Sequence, residues 1–193
     1  MGVYPVTAWG DESVRVGADP PAYLLAATVF TSETGLERLE RVKPKSAAKL
    51  HWREMTDAPK RASLEAIAGI EQATVLVAAA PLPRRKQERA RRKCLEALLP
   101  ELEARGVGKL VLEARDESKN GKDIELLMSL RRKGGVKVID VVHMRADDEP
   151  RLWLPDQVLG AYGDMLCGSR GCDKWRDAWF GISRQVEVVN VAV

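Results

Sequence analysis

The chain has 193 residues, 45% hydrophobic and 31% charged, which suits one compact α/β domain over residues 1–193 and excludes a disordered polar chain. Lys and Arg total 31 against 28 Asp and Glu, and a formal net charge of +3 leaves the overall balance silent about a polyanionic partner. No apolar run approaches the ~20 residues that cross a bilayer, no basic region followed by an apolar core opens the sequence, and Cys94, Cys167 and Cys172 form no C-x-x-C pair, so the sequence predicts a cytoplasmic protein with reduced thiols, no structural zinc and no membrane partner.

Val3 to Ser13 is a β-prone run that ends in two adjacent carboxylates, and it reads as the central strand. Alternation puts Thr7, Trp9, Asp11 and Ser13 on one face and Val6, Ala8, Gly10 and Glu12 on the other, so Asp11 and Glu12 cannot serve the same site. Gly17 to Pro21 is a turn, and Ala22 to Thr31 completes an antiparallel hairpin. A helical insertion over about 32–72 follows. Ser32 is the expected cap of a short helix through Arg41 that Pro44 ends, and Thr56 or Asp57 with Pro59 opens a second one whose inner face is Leu64, Ile67, Ala68 and Ile70. Between them lies Lys49-Leu50-His51-Trp52-Arg53-Glu54-Met55, dense in reactive side chains.

Ala73 to Ala80 is an apolar run between turn residues, as a buried strand would be. Arg84 to Arg105 is the longest predicted helix, with Cys94, Leu95, Leu98, Leu99 and Leu102 turned inward, and Gly106 and Gly108 stop it. Lys109 to Arg115 reads as a strand, Lys119 to Gly121 as a loop, Asp123 to Arg132 as a helix and Val136 to Val142 as a strand. After the polar loop Asp147 to Pro150, a helix starts at Trp153 with Asp156 in its first turn, and Gly168 to Gly171 interrupts the chain. Trp175 to Phe180 reads as a short helix or loop, and Val186 to Val193 as an extended apolar tail. A hairpin followed by alternating helices and strands points to a mixed sheet with helices on its faces.

Asp11 near the end of one strand, Glu113 near the end of another and Asp156 at a helix start are placed where such a sheet can bring them together. Asp116 competes with Glu113 for the middle position. Like charges a few ångströms apart raise one another's pKa, so three converging carboxylates require neutralising cations. Hard oxygen ligands suit Mg2+ or Mn2+, the ions of phosphoryl-transfer sites. His51, with Glu54 three residues on, could shuttle a proton or place a scissile phosphate. Arg84 to Lys93 is a basic run whose Arg85, Arg89 and Arg92 are candidates for phosphate contact, as are Arg53 and Arg115. His143 reads as a strand-end residue, Glu12 as solvated or paired with a lysine, and Trp9, Trp52 and Trp153 as core.

Gly-Asp-Glu-Ser at Gly10 to Ser13, Lys-Leu-His-Trp-Arg-Glu at Lys49 to Glu54, Glu-Ala-Arg at Glu113 to Arg115 and Leu-Pro-Asp-Gln-Val-Leu-Gly-Ala at Leu154 to Ala161 resemble the motifs of the bacterial family called domain of unknown function 3800. The resemblance runs from about Tyr4 to Leu166. It implies a ribonuclease H-like fold and a metal-dependent nuclease-type site in which Asp11, Glu113 and Asp156 are the matched acids and nucleic acid is the partner. The family pattern reads Asp-Glu-Ser-Gly where this chain has Val14, and a small residue where it has Pro155, which the first turn of a helix accepts. Two other readings compete with a nuclease: a non-catalytic nucleic-acid-binding or complex-forming module, and a phosphatase acting on small phosphate esters.

Overall fold

A computed structural model describes residues 6–32, 34–147, 149–169 and 171–193. Val3 to Pro5 of the expected first strand, Asp148 of the polar loop and Arg170 of the glycine-rich break lie outside the described residues. Six strands form one sheet, β1 (Val6–Arg15), β2 (Ala22–Phe30), β3 (Gln72–Ala79), β4 (Val107–Glu113), β5 (Asp140–Met144) and β6 (Val186–Val191), in the order β5-β4-β1-β2-β3-β6. β1 therefore lies inside the sheet, antiparallel to β2 and parallel to β4. The sheet is mixed and flanked by helices, with α1 (Leu36–Val42) and α2 (Asp57–Ala68) inserted between β2 and β3.

Alternation along β1 divides the core in two. Trp9, Leu24, Ala26, Leu76 and Val111 face α2, α5 (Trp153–Leu166) and α6 (Arg176–Ile182), whereas Ala8, Leu25, Val77, Leu110 and Leu112 face α3 (Gln87–Ala104) and α4 (Glu117–Arg132). Trp9, Trp52 and Trp153 are all buried, as core tryptophans are.

Several boundaries differ from the sequence expectation, each for a local reason. β1 continues through Val14 to Arg15, so the departure from the Asp-Glu-Ser-Gly pattern replaces a turn by strand. Ser32 does not cap α1: its hydroxyl accepts from the Thr34 amide, and the helix starts after Gly35, whose φ of 103° suits a residue without Cβ. Arg84, Arg85 and Lys86 precede α3 rather than belonging to it. α4 begins six residues earlier than its apolar spacing implies, at Glu117 rather than Asp123, because the Asp116 carboxylate accepts from the Lys119 amide and caps it. β5 starts at Asp140, not Val136, since the amides of Lys137, Val138 and Ile139 donate to the Glu103 carboxylate at the end of α3 and are withdrawn from strand pairing. The apolar tail is β6, paired in parallel with β3.

Candidate active site

The parallel register pairs Gly10 with Leu112, so one step further along β1 and β4 the side chains of Asp11 and Glu113 leave the same face of the sheet. α5 packs on that face and brings Asp156 to it from its first turn. Asp11, Glu113, Asp156, His51, Arg53 and Arg115 all line one cleft of about 440 Å³.

Asp11 is 8% exposed and its carboxylate accepts from the amide of Glu12 at 2.7 Å. Burial, then the charges of Asp156 and Glu113, push its pKa well above the ordinary carboxylate range. The other two acids have cationic neighbours from one segment. Lys49 Nζ donates to Glu113 at 2.5 Å, and His51 Nδ1 stands 3.1 Å from Asp156. Burial works against the charge on Lys49, but Glu113 outweighs it and the pKa rises. The bond to Asp156 raises that of His51. Asp156 also accepts from the Trp52 amide at 2.8 Å and from Gln157 Nε2 at 3.0 Å, while Ser63 Oγ donates to the Gln157 carbonyl oxygen.

The frame around these groups is a clasp of β1, α5 and the short turn Trp52–Glu54. Arg15 donates to Asp164 and to the carbonyls of Leu159 and Gly160, and Trp52 Nε1 donates to Asp164 at 2.8 Å, as does Lys60 Nζ at 2.9 Å. Asp156, Gly160 and Asp164 recur at helical spacing, so Trp52 lies along one stripe of α5 with its backbone at one end and its indole nitrogen at the other. A Cβ on Gly160 would sit 2.1 Å from the Trp52 ring.

On the opposite face, beneath the same strand ends, Glu12 stays partly exposed and finds an arginine in place of the expected lysine. It pairs with Arg91 of α3, a 3% exposed guanidinium that also donates to Asp123 of α4 at 2.7 and 2.9 Å. His143 Nε2 lies 2.9 Å from Asp123, and Arg115 bridges Asp123 and Glu88. Burial would raise the Asp123 pKa, but hydrogen bonds from His143 and Arg91 and the neighbouring arginine charges hold it down at about 2.

Other sequence candidates stand elsewhere. Asp116 is exposed, caps α4 and pairs with Lys119. Glu54 lines a small neighbouring cavity with Lys49, Leu50 and Met55. Arg85 is exposed in the turn before α3, and Arg89 and Arg92 line a second cleft between α3 and α4. Lys49, Gln157, Arg15 and Asp164 carry roles in the site that no sequence motif assigns to them. Alternation across the buried Leu50, which puts Lys49 and His51 on one side, was the signal available for the first of them.

No protein-family model matches the chain, and no curated protein matches it. Among solved structures, the chain is similar to one in the structure of the PCNA:RNase HII complex from Archaeoglobus fulgidus, with a TM-score of 0.53 and 14% identity over 92% of this chain and 76% of that one. The fold is ribonuclease H-like. At that identity the likeness carries the architecture alone.

The donor chemistry fits a hard divalent cation: three carboxylates, one of them buried and destabilised by the others, with oxygen as the donor atom. As the side chains stand, no group of three or more His, Cys, Asp or Glu among the described residues is gathered closely enough to hold one.

Proposed function

We propose that this cleft is the active centre of a divalent-metal-dependent nuclease or related phosphoryl-transfer enzyme, in a chain related to the domain of unknown function 3800. The observation that carries the reading is the convergence of Asp11, Glu113 and Asp156, from two strand ends and a helix start, on one cleft that also presents His51, Arg53 and Arg115. Asp11, Glu113 and Asp156 would hold Mg2+ or Mn2+, which supplies Lewis-acid stabilisation of charge developing on a phosphoryl oxygen. Asp156 orients the His51 ring and favours its protonated form, so His51 can hold a proton for the leaving oxygen. Arg53, exposed and tied among the described residues only by a 3.3 Å bond to the Val14 carbonyl, can swing onto a phosphate of the substrate. Gln157 keeps Asp156 in place rather than touching substrate.

A second reading draws on a specific feature of the same site. Lys49 already neutralises Glu113, and His51 when protonated does the same for Asp156, which is the arrangement a nucleic-acid-binding module without catalysis would have.

Melting curves with and without Mn2+, on wild type and Asp11→Asn, separate the two. Binding to the native state alone raises the melting temperature. The nuclease reading requires a Mn2+-dependent rise and cleavage of an oligonucleotide in wild type, both lost in Asp11→Asn. Because the Asp11 pKa is raised in the fold, ionising it costs stability that grows as pH rises through that pKa and vanishes below the ordinary carboxylate range. Metal-free Asp11→Asn is therefore expected to melt above wild type at neutral pH and level with it in acid. Wild type that neither binds Mn2+ nor cleaves would leave the binding-module reading.

A further inference from the structure

The cleft between α3 and α4 has a volume of about 480 Å³ and is lined by five cationic and three acidic side chains. Two of the acids are committed elsewhere, Asp123 to Arg91 and Glu88 to Arg115. Arg91 is buried and spent on Asp123 and Glu12. Arg92 folds back on Glu96, four residues along its own helix, as a solvated helix face commonly does. Arg89 from α3 and Lys122 and Arg132 from α4 do not: all three are exposed, and none has an ion-pair partner among the described residues. Three uncommitted cations from two different helices thus face one groove over the apolar floor of Leu126. Such a convergence is not what a basic run along a single helix produces. Glu88 lines both this groove and the acid cleft, so the two are neighbours on one surface.

We propose that the α3–α4 groove binds the phosphodiester backbone of a nucleic-acid strand whose adjoining segment enters the acid cleft, with Arg89, Lys122 and Arg132 as the phosphate contacts. Unpaired, exposed cations give up little on meeting a phosphate and release its condensed counterions, which makes them effective and sequence-blind contacts. The inference rests on the nuclease reading for the identity of the polyanion and extends it by locating the track along which the strand lies.

Fluorescence anisotropy of a labelled oligonucleotide, single-stranded and duplex, measured across a salt series on wild type and the triple variant Arg89→Gln, Lys122→Gln, Arg132→Gln, tests it. Each lost contact removes about 0.7 from the log–log salt slope on a single strand and about 0.9 on a duplex, so the triple variant is expected to lose roughly 2 to 3 units of slope. Mn2+-dependent hydrolysis of bis(p-nitrophenyl) phosphate, a diester too small to need the groove, is expected to stay at the wild-type rate. An unchanged slope and affinity in the triple variant overturns the groove and leaves the nuclease reading standing. Wild type that binds neither oligonucleotide overturns the groove as well. Loss of slope in the triple variant together with cleavage that survives Asp11→Asn supports the groove and overturns the acid site instead.

Discussion

Lys49 occupies the position at which a cation is most needed. With Glu113 it forms a half-buried ion pair of the kind worth up to about 1 kcal/mol, and that pair must open if Glu113 is to ligate a metal. Lys49→Met is thus expected to tighten Mn2+ binding about two- to fivefold by calorimetry, where Asp11→Asn abolishes it; weaker binding in Lys49→Met would show that the ammonium supports the metal site instead of competing for it. Asp123, held at about 2 against an ordinary 3.8, is stabilising in its ionised form. The lowered pKa contributes stability that is fully present above pH ~4 and is lost as pH falls towards 2, about 2 kcal/mol in all. Acid unfolding of Asp123→Asn should accordingly show a shallower fall over that window than wild type. At this scale the sequence was only partly legible. The alternation that separates Asp11 from Glu12 is local, and the structure has it. The roles of Lys49 and Arg91 depend on what the chain lays beside them from dozens of residues away, and no local pattern encodes that. Arg91 in particular sits within the basic run and yet is the residue that the run buries.

α3 and α5 show how a single helix divides its work by face. Arg91→Ala removes the closest cation of Glu12 and Asp123 and leaves them to the longer contacts of Arg115, and breaking a buried pair of this kind costs up to about 3–5 kcal/mol. Arg92→Ala, next to it in sequence but paired only on the surface, should stay within about 0.5 kcal/mol of wild type. Urea titration of the two variants reads the difference directly, and equal effects would mean that Arg91 is not buried. On α5 the sensitive position is Gly160, because the Trp52 ring occupies the space a methyl group would take. Gly160→Ala is expected to destabilise by about 1–3 kcal/mol. It should also weaken the site, since Trp52 carries the amide that Asp156 accepts from. The helices themselves were legible from apolar spacing, as with Leu95, Leu98, Leu99 and Leu102. The starts of α2 and α5 were legible as well, but those of α1, α3 and α4 were not, and at α4 a cap decides it: Asp116 reads as a candidate ligand in the sequence and is a cap in the structure.

Across the whole molecule, the strands present for pairing were legible but their order was not. Hairpin and crossover rules bring β1 beside β2, whereas the parallel docking of β6 on β3 brings together a tail and a strand that no turn signal links. The same topology bears on how the chain comes into being. β1 gains one neighbour at once, from the hairpin, but its other edge waits for β4, which begins at Val107. At a ribosomal rate of roughly 5–20 residues per second, that edge stays unpaired for several seconds of synthesis. An open strand edge is a template for other chains, so a nascent chain halted before β4, with β1 unpaired on one side, is expected to self-associate more than one halted after it. Sedimentation of stalled chains would reveal the difference. The strand that holds the buried acid therefore spends much of synthesis with an open edge, as β3 does until β6 begins at Val186.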